Sequence, residues 1–227
     1  MKSEQKIFCV GFQKTGTTSL GLALRALGYD VCSPYGRMIV TDPKIGDKAK
    51  QWALEKLPSY DAFEDNPWPL LYREMDELCP GSKFILTTRA PRRWIRSMRQ
   101  YFGDYQAAAE EWIYGENCTP LRNPRRCIRR FKQHNHEVRQ YFKNRPDDFL
   151  EIDFGKGHGW KEICEFLGHP VPDTPFPRSL KSGSLHAEVQ RHSVGIFGTA
   201  RTHIHRGCEQ AYTLLQSLYG NFGRTGY

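Results

Sequence analysis

The sequence lacks any long hydrophobic run. No stretch approaches the roughly 20 apolar residues that a membrane-spanning helix requires. The polar N-terminus leads into only about five apolar residues, which is too few for a secretory signal. We therefore expect a protein that neither crosses a membrane nor is secreted.

Paired cysteines are lacking as well. The seven cysteines are odd in number and scattered, and none forms a Cys-x-x-Cys motif. Cys118 and Cys127 are the closest two along the chain. This pattern indicates reduced thiols rather than a disulfide framework or a zinc site. His203 and His205 are poorly spaced to share a metal ion. The sequence thus predicts a cytoplasmic protein with no metal.

Acidic residues are too few to balance the basic ones. The chain has 33 Lys and Arg against 25 Asp and Glu, a net charge of +8 at pH 7. An anionic partner and a solvated basic face are both consistent with this excess. Few aromatic residues accompany the second of two basic clusters, so we expect no nucleic-acid partner. The clusters are Arg89, Arg92, Arg93, Arg96 and Arg99, and Arg122, Arg125, Arg126, Arg129, Arg130 and Lys132.

What is present is a regular alternation of strand and helix patterns. Strands are predicted at 6–10, 29–32, 60–63, 83–88 and 149–152. Helices are predicted at 17–27, 44–57, 67–78, from Pro91 onward, and at 105–114, 124–143 and 160–167. Such alternation is typical of an α/β fold with a central parallel sheet flanked by helices on both faces.

The first strand runs into a glycine loop, which we define as residues 11–19. Gly11 and Gly16 have the glycine spacing of a phosphate-binding loop, but Thr17 occupies the usual lysine position and the lysine is Lys14. A glycine-rich turn that enters a helix offers backbone amides and the helix dipole to an anion. A turn without a ligand is the alternative.

We predict a single P-loop-type domain over 1–227, with its core at 6–177 and a C-terminal wrap at 178–227 whose place is left open.

A magnesium-binding acid is missing from the place where an ATP-dependent enzyme would have one. The strand at 83–88 ends in Thr87-Thr88-Arg89, without a carboxylate. The strand at 149–152 is followed by Asp153, so an acid from there stays an alternative. The displaced lysine and the basic strand end favour a metal-free donor that carries an extra phosphate.

Two motifs resemble those of the sulfotransferases that use 3′-phosphoadenosine 5′-phosphosulfate (PAPS). The run Gln13-Lys-Thr-Gly-Thr-Thr-Ser19 is similar to that family's loop for the 5′-phosphosulfate. Arg89, with Ser97 eight residues later, is similar to its 3′-phosphate motif. The stretches 63–68, 83–94 and 160–177 resemble a cytosolic, single-domain branch, so the likeness spans about residues 6 to 177 in family order.

This resemblance implies a function and a set of site residues. The activity would be transfer of a sulfuryl group from PAPS to a hydroxyl or amine of a small-molecule acceptor, with 3′-phosphoadenosine 5′-phosphate (PAP) as product and no metal. Lys14 would stabilise the leaving oxygen. For Arg89 the alternative is an ordinary surface salt bridge. The donor-binding residues implied are Lys14, Thr15, Gly16, Thr17, Thr18, Ser19, Arg89 and Ser97.

The base is predicted to be Asp65. Many family members use a histidine at the end of a strand, but this chain has no histidine before His134. The matching place holds Glu64-Asp65, and the branch it resembles has an aspartate there. The alternative is that Asp65 or Asn66 caps a helix opened by Pro67. His134, in a basic helical segment, is predicted at the surface.

Two other functions remain open from the sequence. One is an ATP-dependent small-molecule or nucleotide kinase with an irregular loop. The other is a catalytically inactive nucleotide-binding protein. The acceptor, the choice between O- and N-sulfation, and the oligomeric state are left open.

Overall fold

The computed structural model describes residues 5–33, 45–104, 106 and 108–178. They belong to one compact unit, Met1–Ser179. The predicted wrap beyond residue 178, with His203 and His205, lies outside the described residues, so the single domain over 1–227 stays a prediction. In the described part of the chain, no helix is both long and apolar enough to cross a lipid bilayer.

Five parallel strands form the central sheet of the described residues, in the order β2-β3-β1-β4-β5. The strands agree closely with those predicted, and β1 and β4 are buried almost throughout because helices cover both faces. Their bounds are β1 Ile7–Cys9, β2 Val31–Cys32, β3 Ala62–Phe63, β4 Lys83–Thr87 and β5 Phe149–Ile152.

Helices connect the strands and lie on both sides of the sheet. Alternate residues of β1 point to opposite faces, so Phe8 joins one hydrophobic cluster while Ile7 and Cys9 join another. Residues of α2, α3 and α6 pack on the Phe8 side, and residues of α1 and α7 pack on the other. Their bounds are α1 Thr17–Ala26, α2 Ile45–Lys56, α3 Tyr72–Leu78, α4 Pro91–Phe102, α5 Ala108–Tyr114, α6 Pro124–Phe142 and α7 Trp160–Leu167. The predicted α/β fold is confirmed.

One helix begins later than predicted. The segment after Pro67 first forms a short 3₁₀ turn at Trp68–Leu70, and α3 starts only at Tyr72. The second proline, Pro69, has no amide hydrogen and suits such a turn better than the interior of an α-helix. Pro67 stands at the cap position of the turn, and no side chain supplies a capping hydrogen bond there. The prediction that a helix opens at Pro67 was wrong.

Candidate active site

The predicted site residues meet at the carboxyl edge of the sheet. The glycine loop follows β1, Asp65 follows β3 and Arg89 follows β4, and these three strands are neighbours in the sheet. The chain runs from β1 to the edge strand β2, returns to β3 beside β1, and then crosses to the other side of β1 at β4. Ligands of open α/β sheets bind at such a reversal of strand order, outside the carboxyl ends. Topology alone therefore brings residues distant in sequence to one place.

The glycine loop is fixed against the end of β4. A side chain at Gly11 would overlap the Thr87 backbone, so only glycine allows this approach. Thr15 Oγ1 donates to Phe12 O at 2.5 Å, and it lies 2.6 Å from Thr87 Oγ1. Because a hydroxyl has one hydrogen, Thr87 must be the donor of the second bond. The Thr15 side chain thus supports the loop, and only its amide can face a ligand.

The N-terminus of α1 suits an anion. Gly16 stands at the cap position with φ of 109°, a left-handed conformation, and it has no side chain to cap the first-turn amides. The first turn contains no acidic residue. The helix therefore presents backbone N–H groups and the positive end of its dipole with no carboxylate in its own first turn. Thr18 is partly exposed, whereas Thr17 and Ser19 are buried.

Lys14 is held at the mouth of this loop. Its backbone has φ of 67°, which is uncommon for a residue with a side chain. Its ammonium lies 4.0 Å from the ring centroid of Tyr101 on α4, a cation–π contact. Arg89 Nη1 donates to the Lys14 carbonyl at 3.2 Å, and Trp94 Nε1 donates to the Gln13 carbonyl at 3.0 Å. The structure thus joins the two sequence motifs through the backbone of residue 14.

Arg89 is a partly buried cation beside a second one. Burial, and then the charge of Arg93, lower the pKa of Arg89, while Asp153 acts in the opposite sense. Two neighbouring guanidinium groups repel each other, and an anion between them would relieve the repulsion. Ser97 lies in the middle of α4 and is partly exposed. This arrangement could hold an anion such as a phosphate.

Asp65 faces Lys14 across the site. Asp65 leaves the end of β3 with φ of 69°, and its side chain is partly buried. Burial raises the pKa of this carboxyl above its usual value, and the Asn66 amide and the Lys14 charge oppose the rise. Both predicted catalytic residues therefore have unusual backbone conformations, which cluster at functional sites. The geometry leaves Asp65 as a carboxylate with enhanced basicity.

Sequence reasoning placed His134 at the surface, and the structure corrects this. His134 is 1% exposed, stacks on Phe12 with ring centroids 4.0 Å apart, and lies 2.7 Å from Val10 O. Since a carbonyl only accepts, Nε2 carries the hydrogen and donates it. Burial lowers the pKa of His134 to about 4. A neutral histidine thus supports the start of the glycine loop, and its spacing from Phe131 and Val138 was the available signal.

The described cysteines form no disulfide bond. Cys118 Sγ and Cys127 Sγ lie 3.7 Å apart as free thiols, and the other four described cysteines are also free. The described ranges likewise contain no group of three or more His, Cys, Asp or Glu side chains placed to hold a metal ion.

Comparisons with known proteins identify the family of this chain. A family model described as a sulfotransferase domain matches residues 6–118 and 103–185, which confirms the resemblance drawn from the glycine loop and Arg89. A relative from Aspergillus versicolor, the Ava biosynthesis cluster protein M, is 25% identical over 221 residues. That match covers 78% of this chain and 81% of the relative. The chain therefore belongs to the sulfotransferase domain family.

Proposed function

We propose that this protein transfers a sulfuryl group from PAPS to a hydroxyl or amine of a small-molecule acceptor. The observation that carries the proposal is the convergence of Lys14, Asp65 and Arg89 on the uncapped N-terminus of α1. Family membership supports sulfuryl transfer in general, and the site chemistry supports this donor.

The proposed reaction exchanges one sulfur–oxygen bond for another bond to sulfur. The acceptor oxygen or nitrogen attacks the sulfur, and the bond between sulfur and the 5′-phosphate oxygen breaks. Asp65 takes the proton that the acceptor loses. Lys14 and the amides of Thr15 to Ser19 stabilise the negative charge that develops on the leaving phosphate oxygen. PAP is then released.

The other end of the donor is assigned to Arg89 and Ser97. A guanidinium binds phosphate through two parallel N–H bonds and stays charged at any physiological pH. The neighbouring Arg93 adds a second positive charge near Arg89. We expect these groups to favour a nucleotide that carries a 3′-phosphate over one that lacks it.

Binding of PAP is the first test of this proposal. At a concentration about 100 times its Kd, PAP should stabilise the folded protein by about 2.7 kcal/mol. For a protein of this size that corresponds to a rise in melting temperature of about 5–10 °C. Sulfuryl transfer should be unaffected by EDTA, whereas phosphoryl transfer by a Mg·ATP-dependent kinase would be abolished. Absence of any shift at saturating PAP would exclude the donor assignment. PAP binding without sulfuryl transfer to any acceptor would instead indicate an inactive binding protein.

Arg89→Ala should weaken PAP binding about 10- to 100-fold, because it removes charge-assisted hydrogen bonds worth about 1.5–3 kcal/mol. Binding of adenosine 5′-phosphate, which lacks the 3′-phosphate, should change far less. Isothermal titration calorimetry measures both. Arg92→Ala is the matched control, because Arg92 is an exposed arginine three residues later, in the first turn of α4. Equal losses for the two nucleotides would remove Arg89 from the 3′-phosphate contact.

A further inference from the structure

Glu64 is a fully buried carboxyl group whose presence the reaction scheme does not explain. Its exposure is 0%, and neither Oε1 nor Oε2 has a hydrogen-bond partner among the described residues. Buried polar atoms are nearly always hydrogen-bonded, so an orphaned carboxyl calls for a functional reason. Packing alone would be served better by an apolar side chain.

The surroundings of Glu64 are fixed by the first helix and the ends of three strands. Oε1 lies 3.1 Å from the position that a Cβ on Gly21 of α1 would occupy, so glycine makes room for the carboxyl. The hydroxyls of Thr17 and Ser33 lie near enough to lower its pKa, although their geometry falls short of a hydrogen bond. The thiols of Cys9 and Cys32 are also close, since Glu64 raises the pKa of both.

Arg25 acts on Glu64 without pairing with it directly. Arg25 of α1 acts on the carboxyl from a distance, but its guanidinium donates to Val31 O at 3.0 Å and to Ser33 Oγ at 2.9 Å. The nearest anion is Asp65, the next residue. The backbone of Glu64 still pairs with β2, because its N–H donates to Cys32 O at 3.1 Å. At Asp65 the chain turns away from the sheet with a positive φ. The Glu64 carboxyl is thus fully buried behind the partly exposed Asp65 carboxyl.

We propose that Glu64 is a positioning residue, because it acts on the reaction only through Asp65. It places a buried, ionisable carboxyl behind the base and against the first turn of α1. This inference rests on the proposed function of Asp65. When Glu64 is ionised, its charge raises the affinity of Asp65 for a proton, and the base is stronger than an isolated aspartate.

The order of ionisation follows from the environments of the two carboxyls. Asp65 has the Asn66 amide and Lys14 to stabilise its charge, so it ionises first. Burial and then the charge of Asp65 raise the pKa of Glu64 to about 7, so it ionises second. The interaction is reciprocal, and the two carboxyls titrate as a pair. Above neutral pH both are charged, and Asp65 then gains most from accepting the acceptor's proton.

The kinetic test compares pH profiles of kcat. The wild type should show a rise centred near pH 7, where Glu64 ionises. Glu64→Gln keeps the shape of the side chain but not its charge, so its kcat should not rise near pH 7. The plateau of kcat should be about 3- to 10-fold lower than in the wild type, and the KM for PAPS should be unchanged. Glu64→Asp should retain a rise. The matched control is Asp61→Asn, an acid just before β3 whose profile should match wild type. A purely structural role would lower the melting temperature of Glu64→Gln and leave the profile unmoved, which would overturn the proposal.

A second measurement needs no activity. Carboxyl ¹³C NMR of the ligand-free protein should show one glutamate that titrates near neutral pH and is absent from Glu64→Gln. In Asp65→Asn this titration should move to lower pH, because the neighbouring charge is gone. An unchanged glutamate titration in Asp65→Asn would overturn the coupling between Glu64 and Asp65. This result does not depend on finding an acceptor or measuring turnover. Failure of PAP binding with the coupling intact would instead count against the proposed function alone.

Discussion

Asp65→Asn is expected to lower kcat about 10²- to 10⁴-fold, the usual range for removal of a general base. The affinity for PAP should stay nearly unchanged, because no contact to the donor is assigned to this carboxylate. Steady-state sulfuryl transfer, followed by mass spectrometry of an acceptor found by screening, measures the first quantity. Calorimetric titration with PAP measures the second. Unchanged turnover would remove Asp65 as the base.

The same variant separates a base from a helix cap. Burial raises the pKa of Asp65 in the folded protein above its unfolded value, so the ionised form costs stability at neutral pH. The stability that the protonated Asp65 contributes is fully present below the pKa of this residue in the unfolded chain. It is lost as the pH rises through the pKa of Asp65 in the folded protein. Asp65→Asn should therefore raise the melting temperature at pH 7 and leave it nearly unchanged at pH 3. Loss of a cap would lower it at both values. Asn66→Ala is the companion variant, and it should keep full turnover.

The pH dependence of turnover follows from the same shift. Asp65 accepts a proton only when it is ionised, so kcat should fall as pH decreases through its pKa, which lies above the usual aspartate value. A profile that is flat down to the titration of an ordinary aspartate would contradict the role of burial in making this carboxylate a useful base.

Local patterns predicted most of the fold and the framework of the site. The glycine spacing, the helix period after Thr17 and the extended run that ends at Arg89 each depend on near neighbours in the sequence. The fold needed one further rule, that carboxyl ends of parallel strands meet at one edge, and this places the glycine loop beside Arg89. Lys14 and Asp65 were identified from the family resemblance, and the structure brings them together.

What the sequence did not predict depends on packing between distant elements. The charged residues around His134 indicate an exposed helix, but the face of α6 that turns inward is decided by contact with Phe12 and Tyr72. Glu64 and Asp65 are adjacent acids, and no periodicity tells which one is sealed. The positive φ of Asp65, set by the turn before Pro67, decides it. The burial of these polar side chains therefore could be seen only in the structure, whereas the burial of apolar side chains could be predicted from the sequence.

Lys14→Met is expected to lower kcat about 10²- to 10³-fold, the loss typical of removing one group that stabilises a developing oxyanion. Methionine keeps the length and the apolar stem, so the Tyr101 ring retains a partner while the positive charge is lost. Because charge builds on the leaving oxygen only as the bond to sulfur breaks, the KM for PAPS should change much less than kcat.

The matched control for Lys14 lies elsewhere on the surface of the same domain. Lys56 also has its ammonium over an aromatic ring, 5.8 Å from the centroid of Trp52, but at the end of α2. Lys56→Met should therefore change the melting temperature as little as Lys14→Met while leaving kcat intact. If Lys14→Met raised the KM for PAPS and left kcat unchanged, Lys14 would hold the ground-state donor and would not serve the leaving group. The displaced lysine of the glycine loop would then belong to donor binding, and the amides at the start of α1 would carry the charge stabilisation by themselves.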